Sequence, residues 1–385
     1  MPGIIKERLF TPGPTPLLME AQASAMVANV HHRTEAFRQI MRETLDLLKY
    51  YFNTQNDVLI LASSGSGAME GSIVNLVSPG ERILIGTAGK FGERWLGLAE
   101  AYGIEAVKVE APYGHPLDVG EMKQRLEQAG PFQAVYVQAT ETSTGVSHDV
   151  KALGEVVRNY PQTCLVVDAI TGLGTTELRP DEWGLDIVIG GSQKAVMIAP
   201  GLAFVSVSEK AWKMIANAKL PRYYFDFAKE RKNQAKGETS YTPATTLIIS
   251  LHSALQYIKG LGRENLIANA ALLAEASREA AKALGLKLFA VSSPANAVTA
   301  VCALDGMDSG AIVKEMRRRF GAVIANGQGS MKGKIFRLAH LGYYDIPELF
   351  AVVAGLELVL LKLGQKVELG SGVRAAQEIY LRRAG

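Results

Sequence analysis

The sequence predicts an α/β fold in which a mainly parallel sheet is followed by a smaller α+β domain. Apolar, β-branched segments alternate with helical periods through most of the chain, which is typical of a parallel sheet covered by helices on both faces. After about residue 260 two strands instead flank one helix. The chain has 385 residues, which is enough for two or three domains of about 100–200 residues each.

The predicted elements of the first part follow one another in strand–helix order. Strands are predicted at 58–61, 82–85, 104–109, 134–137, 165–168 and 187–189, and helices at 35–51, 68–77, 92–102, 119–129 and 151–159. Ligands of such sheets bind beyond the carboxyl ends of the strands. Ser64, Glu141, Asp168 and Ser192 fall there, so this edge is the predicted location of a functional site.

The second part is predicted to contain a long helix at 264–284, strands at 297–304 and 334–339, and a helix at 309–319. A capping box with proline in its first turn, Asp345 to Glu348, begins a further helix that ends near Gly364. The proline-rich start of the chain is predicted to be stiff and extended. We therefore expect an N-terminal arm at 1–16, a large domain at 17–260 and a small domain at 261–385.

Charge and composition argue against several classes of protein. Lys and Arg exceed Asp and Glu by 41 − 38 = 3 and are scattered along the chain, so no nucleic-acid surface is expected. The longest apolar run, 350–363, contains charges and is too short for a bilayer. No signal peptide is predicted at the N-terminus, and Cys164 and Cys302 have no partner spacing for a disulfide or a metal. A cytoplasmic protein is expected.

A loop of small residues, Ser63 to Gly67, lies between a predicted strand and a predicted helix. Backbone N–H groups and the helix dipole at such a position favour a phosphate, although glycine and serine there also serve turn geometry. The glycines at 65, 67 and 71 do not match the Gly-x-Gly-x-x-Gly spacing of dinucleotide-binding folds. A nicotinamide enzyme is therefore disfavoured.

Two further residues point to a particular chemistry. Asp168 ends an apolar strand, where a carboxylate either takes part in chemistry or caps the next segment. Lys194 follows small, apolar residues that can desolvate its amine, lower its pKa and favour imine formation with a carbonyl. A phosphate loop, a strand-end aspartate and a desolvated lysine together suit pyridoxal phosphate.

Short motifs extend this pattern over nearly the whole chain, at 11–15, 31–34, 64–67, 141–145, 167–169, 191–195 and 336–337. The Glu-Thr-Ser-Thr-Gly and Ser-Gln-Lys pieces, in this order, are specific. With them the sequence resembles the class V aminotransferases of fold type I, and within these the alanine–glyoxylate and serine–glyoxylate group. The resemblance implies pyridoxal phosphate as the cofactor and a large domain with a mainly parallel, seven-stranded sheet.

The resemblance also implies a role for each matching residue. Lys194 would be the Schiff-base lysine and the base that moves the substrate's proton, and Asp168 would keep the pyridine nitrogen protonated so that the ring accepts electrons. Ser64, Gly65, Ser66 and Gln193 would hold the phosphate, Phe91 and Ile170 would cover the ring faces, Thr142 would reach the ring's polar edge, and Gly13 and Arg337 would bind the substrate. The fork of Arg337 would grip a carboxylate in a way that lysine cannot reproduce.

In the family that the sequence resembles, the site is completed across a dimer interface. The segment from Tyr241 to Thr245 would reach the neighbour's phosphate, unless it is an ordinary loop. A homodimer with shared active sites is therefore expected.

The expected reaction is the transfer of an amino group from alanine or serine to glyoxylate or pyruvate. Two alternatives stay open: another donor within the family, such as an aminophosphonate or ureidoglycine, and a non-catalytic subunit of a redox complex, since some relatives carry the label of a soluble hydrogenase subunit. A cysteine desulfurase is disfavoured, because Cys302 is predicted to be a buried thiol within a strand. His31 and His32 either line the entrance to the site or form a polar turn.

Overall fold

A computed structural model describes residues 4–26, 30–304 and 306–384. Its strands are β1 (Arg8–Phe10), β2 (Asp57–Leu61), β3 (Arg82–Thr87), β4 (Glu105–Glu110), β5 (Ala134–Gln138), β6 (Thr140–Glu141), β7 (Val146–Ser147), β8 (Cys164–Asp168), β9 (Ile187–Gly191), β10 (Ala203–Val207), β11 (Val298–Cys302), β12 (Ala322–Asn326) and β13 (Ile335–Ala339). Its helices are α1 (Met19–Ser24), α2 (Glu35–Phe52), α3 (Gly65–Leu76), α4 (Lys90–Ala101), α5 (Val119–Ala129), α6 (Val150–Val157), α7 (Pro180–Trp183), α8 (Glu209–Ile215), α9 (Phe227–Gln234), α10 (Thr245–Leu261), α11 (Arg263–Ala283), α12 (Ser309–Phe320), α13 (Ile346–Lys362) and α14 (Ser371–Ala384).

The larger sheet has seven strands in the order β2-β10-β9-β8-β5-β3-β4. Its runs of valine, isoleucine and leucine are buried on both faces, as parallel strands under helices require. Only β10 runs against its neighbours, β2 and β9. The predicted α/β class with a mainly parallel sheet is therefore confirmed, whereas the sequence analysis did not predict β10.

Alternation along the strands divides the core of this sheet into two layers. Leu84 and Val135 point to one face and join a cluster with residues of α2, α5, α6 and α10. Ile85 and Tyr136, each one residue further along, join a second cluster on the opposite face, with residues of α3, α4 and α8. This is the period-two pattern of a strand whose two faces are both buried.

A second, four-stranded sheet has the order β1-β12-β13-β11 and packs with α11 to α14. Its edge strand comes from the N-terminal arm, because Arg8 to Phe10 pair in parallel with Ala322 to Ile324. The sequence analysis predicted only an extended arm here and did not predict β12. A strand of three residues is too short to carry its own pattern, and its pairing depends on residues some 300 positions away. The predicted domain boundaries stay a prediction.

The helix that begins at the predicted capping box is present as α13. Its N-cap, Asp345, accepts a hydrogen bond from the Glu348 backbone N–H at 2.9 Å, and Pro347 lies in the first turn. None of the helices in the described part of the chain is apolar over enough residues to cross a bilayer.

Candidate active site

The predicted site residues meet at the carboxyl edge of the larger sheet. Ser64 follows β2, Asp168 is the last residue of β8, and Lys194 lies three residues after β9. Strands β8 and β9 are parallel neighbours, so their carboxyl ends lie side by side. The sheet topology therefore brings Asp168 and Lys194 to one place, as the sequence predicts.

The amine of Lys194 is mostly buried, and its Nζ donates a hydrogen bond to the carbonyl oxygen of Pro12. Burial lowers the pKa of Lys194 to about 8; the charge of Asp168 opposes this shift, and Arg337 and Arg94 add to it. A larger fraction of the amine is thus neutral near pH 7 than for an exposed lysine. A neutral amine is the form that attacks a carbonyl.

The N-terminal arm holds the Lys194 loop from the opposite side. Thr15 donates its backbone N–H to the Gln193 carbonyl at 3.1 Å and its hydroxyl to the Lys194 carbonyl at 2.9 Å. Gly13 has a φ of +137°, and a Cβ added there would lie 2.3 Å from the Lys194 Nζ. Only glycine can therefore occupy this position while the lysine amine keeps its place.

We expect Gly13→Ala to displace either the arm or the Lys194 amine, because the new methyl group would overlap Nζ. The variant should bind pyridoxal phosphate about tenfold more weakly or worse and should melt at a lower temperature, since positive φ and overlap both cost free energy. Spectrophotometric titration and thermal unfolding measure the two effects. Gly285→Ala is the matched control, since Gly285 has φ +74° but open space around its Cβ position; equal cofactor affinity in both variants would contradict the overlap.

Asp168 is buried at the end of β8, with 7% of its surface exposed. Its Oδ1 accepts the Ile170 backbone N–H at 2.9 Å. Burial raises the pKa of Asp168 to about 6, with a further increase from Glu141, while Arg94 and Lys194 lower it. Near pH 7 the carboxylate is mostly ionised, so it can stabilise a protonated nitrogen beside it.

The loop that was predicted to hold a phosphate is the first turn of α3. This helix begins at Gly65, with Ser64 as its N-cap, so its first N–H groups have no intrahelical acceptors. A Cβ on Gly65 would lie 2.3 Å from the Ile170 Cδ1, and one on Gly67 would lie 2.7 Å from the Phe225 Cζ. Both glycines therefore serve close packing, and the same turn presents donors suited to an anion.

Gln193, which the family resemblance assigns to the phosphate, carries an unpaired polar atom. Its side-chain Oε1 is buried without a hydrogen-bond partner among the described residues. A buried acceptor of this kind costs free energy unless a donor reaches it. Phosphate oxygens supply no donor for this acceptor, so Gln193 would reach a phosphate through its Nε2–H donors. The N–H groups in the first turn of α3 and the carboxylate of Asp168 fit a phosphorylated ligand with a protonated nitrogen.

Glu141 has a positioning role that the sequence analysis missed. Its carboxylate accepts the backbone N–H groups of Phe91 at 3.1 Å and Gly92 at 2.9 Å, and the Ser143 hydroxyl at 2.6 Å. The bonds from Phe91 and Gly92 cap α4, and burial raises the pKa of Glu141 despite all three bonds. Glu141 thus fixes where Phe91, the predicted ring-stacking residue, projects from the start of α4.

Arg337 lies on β13 with 4% of its surface exposed. It donates to the Thr142 carbonyl at 3.0 Å and to the Asn326 carbonyl at 2.8 Å and 3.2 Å. Burial lowers its pKa to about 10, and the charge of Glu141 opposes that shift. Its hydrogen-bond partners are neutral carbonyls that use three of its five N–H donors, so two donors are left for an anion such as a carboxylate.

The remaining predicted residues are Thr142 and the segment from Tyr241 to Thr245, which was predicted to reach a neighbouring subunit. The Thr142 hydroxyl donates to the Thr171 hydroxyl at 3.0 Å, close to the Arg337 contact on the same residue. Tyr241 lies elsewhere within the chain: its ring stacks on Tyr224 at 5.0 Å, and its hydroxyl donates to the Tyr223 carbonyl at 2.7 Å. Thr245 is the first residue of α10, and a contact of this segment with a neighbouring subunit stays a prediction.

The structure also locates the residues whose roles were left open. The rings of His31 and His32 lie 4.6 Å apart, in a turn before α2.

Cys302 is the last residue of β11 and is only partly buried, which corrects the predicted burial. That partial burial still raises the pKa of its thiol. A raised thiol pKa opposes nucleophilic use. Over the described ranges, no group of three or more His, Cys, Asp or Glu residues could hold a metal ion.

Arg94 and Pro12 contact residues of the candidate site and were not predicted. Arg94 donates to the Ser66 hydroxyl at 3.0 Å from the neighbouring helix, and Pro12 supplies the acceptor for the Lys194 amine. Neither contact has a local sequence signal, although Arg94 stands three residues after Phe91, on the same helix face.

Comparison with curated proteins finds relatives over almost the whole chain. A soluble hydrogenase small subunit of Synechococcus sp. is 42% identical over 97% of this chain and 98% of its own length. An L-aspartate–glyoxylate aminotransferase of Paracoccus denitrificans is 33% identical over 97% of this chain and 96% of its own length. A serine–glyoxylate aminotransferase of Methylorubrum extorquens is 32% identical over 98% of this chain and 96% of its own length.

Solved structures of similar fold include the ureidoglycine–glyoxylate aminotransferase of Bacillus subtilis, with a TM-score of 0.92 and 28% identity over 98% of this chain and 99% of that one. The alanine–glyoxylate aminotransferase of Nostoc sp. has a TM-score of 0.88 and 28% identity over 94% of this chain and 97% of that one. The family model of the class-V aminotransferases matches residues 17–341. This match and the whole-length relatives show that the chain belongs to the class-V aminotransferase family.

Proposed function

We propose that this chain is a pyridoxal-phosphate-dependent aminotransferase that moves an amino group between alanine or serine and a small 2-oxo acid, glyoxylate or pyruvate. The observation that supports this most is the grouping of Lys194, Asp168 and Arg337. The Lys194 amine lies within reach of both other charges, because Asp168 raises its pKa and Arg337 lowers it. A base, a carboxylate and a carboxylate-binding cation are the three protein groups that such a transfer uses.

When bound, pyridoxal phosphate supplies an electron-accepting ring that stabilises negative charge at the α-carbon of an amino acid. Lys194 would bind the cofactor's aldehyde carbon and then carry the proton to and from the substrate's α-carbon. Asp168 would hold a proton at the ring nitrogen. The first turn of α3 and Gln193 would bind the phosphate, and Phe91 and Ile170 would cover the ring.

Arg337 would orient the substrate by its carboxylate. The bonds from its guanidinium to the Thr142 and Asn326 carbonyls fix the plane of the side chain, and its two remaining donors can meet two carboxylate oxygens. A fixed substrate carboxylate leaves the α-carbon at a defined distance from the lysine amine, which lowers the entropy cost of proton transfer.

The experiment that tests this proposal is a titration of the near-visible absorption of the purified, cofactor-loaded protein. Alanine, serine, aspartate and 2-aminoethylphosphonate are added one at a time, and glyoxylate or pyruvate follows. Loss of the cofactor band with alanine or serine, and its return with the oxo acid, is the expected result. A response to aspartate or the phosphonate alone would replace the donor class, and no band after adding pyridoxal phosphate would reject the cofactor.

We expect Arg337→Lys to lower kcat/KM for the amino donor about 30- to 100-fold, mainly by raising KM, because a lysine ammonium cannot replace a bidentate, charge-assisted pair. Steady-state kinetics measure this effect, and cofactor affinity should not change. Arg317→Lys on α12, where the side chain is 64% exposed, controls for the substitution itself. An unchanged kcat/KM in Arg337→Lys would remove this residue from the substrate site.

A second candidate function deserves a test because the relative at 42% identity is named a soluble hydrogenase small subunit. In that case the chain would act as a non-catalytic subunit of a redox complex. A pull-down that returns stoichiometric redox partners, combined with a cofactor band that no amino acid perturbs, would favour it. A donor-dependent spectral change would favour the transaminase instead.

We further propose that the protein is a cytoplasmic homodimer in which Tyr241 and Thr245 reach the partner's phosphate site. The aromatic cluster of Tyr223, Tyr224 and Tyr241 supports this arrangement, because Tyr223 and Tyr224 in it are 76% and 46% exposed. Sedimentation should give twice the chain mass of 41.4 kDa. A monomer in the presence of cofactor would contradict the shared site.

A further inference from the structure

Arg94 is a cation beside the predicted phosphate turn that no part of the reaction described above uses. It lies on α4, three residues after Phe91, and its Nη1 donates to the Ser66 hydroxyl at 3.0 Å. Ser66 is in the first turn of α3. Arg94 therefore links the helix that carries the ring-stacking residue to the helix that would hold the phosphate.

The ring of Phe91 holds the guanidinium in this position. The Arg94 Cζ lies 4.9 Å from the centroid of that ring, a distance at which a cation is attracted to an aromatic face. Arginine stacks in this way while its N–H donors stay available at the edge of the guanidinium plane. The stacking on Phe91 thus orients the N–H donors of Arg94 toward the Ser66 hydroxyl and uses none of them itself.

The charge of Arg94 is not neutralised by the protein. Across the described ranges, no carboxylate lies within ion-pair distance of its guanidinium, and the hydrogen bond that it makes there is to a neutral hydroxyl. Its field nevertheless reaches the interior of the site, because it contributes to lowering the pKa of both Asp168 and Lys194. The side chain is exposed within a single chain, so an incoming anion can approach it.

We propose that Arg94 is a ligand of the cofactor's phosphate and closes the cradle of Ser64, Gly65 and Ser66 from the α4 side. This inference rests on the proposed function, since it needs pyridoxal phosphate in the site. A phosphate offers several acceptor oxygens and nearly two negative charges near pH 7. A guanidinium fork matches two of those oxygens, whereas the backbone N–H groups of α3 bind the others.

The test compares equilibrium binding of pyridoxal 5′-phosphate and of pyridoxal, which lacks the phosphate, to cofactor-free protein. Binding is followed by absorbance for the wild type, Arg94→Met, Arg94→Lys and a control, Arg125→Met. Arg125 is exposed on α5, and Arg125→Met makes the same change in charge and side chain as Arg94→Met. Circular dichroism reports whether each variant is folded.

We expect Arg94→Met to weaken binding of the phosphorylated cofactor about tenfold or more and to leave pyridoxal binding unchanged, because a hydrogen-bonded ion pair to phosphate is lost. The affinity of Arg94→Lys for the phosphorylated cofactor should lie between those of the wild type and Arg94→Met, since lysine keeps the charge but not the planar fork of donors. Arg125→Met should match the wild type for both ligands.

Other outcomes overturn the inference in distinguishable ways. Equal affinity of Arg94→Met and wild type for the phosphorylated cofactor would show that the guanidinium does not contact the phosphate. Equal weakening for both ligands would assign Arg94 to the ring or the fold. If Arg94→Met does not fold, the same two comparisons with Arg94→Lys decide. A wild type that binds neither ligand would reject the proposed function itself.

Discussion

Lys194→Ala is expected to abolish amino-group transfer while the fold survives. The substitution removes both the amine that would bind the cofactor's aldehyde carbon and the base that would move the α-proton. A positioned proton-transfer group alone contributes about 10²–10⁴-fold to rate, so turnover should fall by at least that factor. Steady-state assays and the loss of the cofactor's near-visible band measure the effect.

The fold should tolerate this change because the Lys194 amine is not a stabilising charge. Its pKa in the folded protein, about 8, lies below the ordinary value of 10.5. The folded state therefore binds the proton more weakly than the unfolded state, and burial of the charged amine costs free energy below about pH 8. This cost fades as the pH rises from the folded to the unfolded pKa, so removing the amine should not lower the melting temperature at pH 7.

Lys123→Ala on α5, where the side chain is 58% exposed, is the matched control and should keep full activity. Added small amines should restore part of the turnover of Lys194→Ala, because they can replace the missing base. Normal transamination by Lys194→Ala would overturn the assignment of this lysine and the proposed chemistry with it.

Asp168→Asn is expected to retain the cofactor but to slow proton abstraction by about 100-fold or more, since a positioned group that acts on proton transfer contributes on that scale. Asparagine keeps the acceptor for the Ile170 backbone N–H, which lies 2.9 Å from Oδ1. It loses the negative charge that would hold a proton at the ring nitrogen. Single-turnover mixing with the amino donor measures the rate of the α-proton step.

The pH dependence of stability gives an independent readout of Asp168. Burial raises its pKa to about 6 from the ordinary 3.8. In the cofactor-free protein this residue therefore lowers stability progressively as the pH rises from 3.8 to about 6, and the full cost remains at higher pH. Cofactor-free Asp168→Asn should therefore be at least as stable as wild type at pH 7 and should lose this part of the pH dependence.

Asp118→Asn is the control, because Asp118 is an N-cap that accepts the Gly120 backbone N–H at 2.7 Å and lies on α5's exposed start. It should leave the single-turnover rate unchanged. If Asp168→Asn also turned over at the wild-type rate, the carboxylate would have no influence on the ring.

The sequence by itself was sufficient for the fold class and for the grouping of Ser64, Asp168 and Lys194 at one edge of the larger sheet. The apolar strands that end at Asp168, and shortly before Ser64 and Lys194, are local sequence patterns. Parallel strands bring their carboxyl ends to one edge of the sheet whatever the conformation of the loops between them. The cap at Asp345 is predictable for the same reason, since it depends on four consecutive residues. These features need only short-range information.

Tertiary structure decided the contacts that set the properties of those residues. The pairing of Arg8–Phe10 with β12, the bond from the Lys194 amine to the Pro12 carbonyl, the capping of α4 by Glu141 and the approach of Arg94 to Ser66 join segments that are distant in sequence. No periodicity encodes such pairs. Their existence depends on which surfaces the packed sheet and helices leave adjacent, and on how little water reaches the groups there.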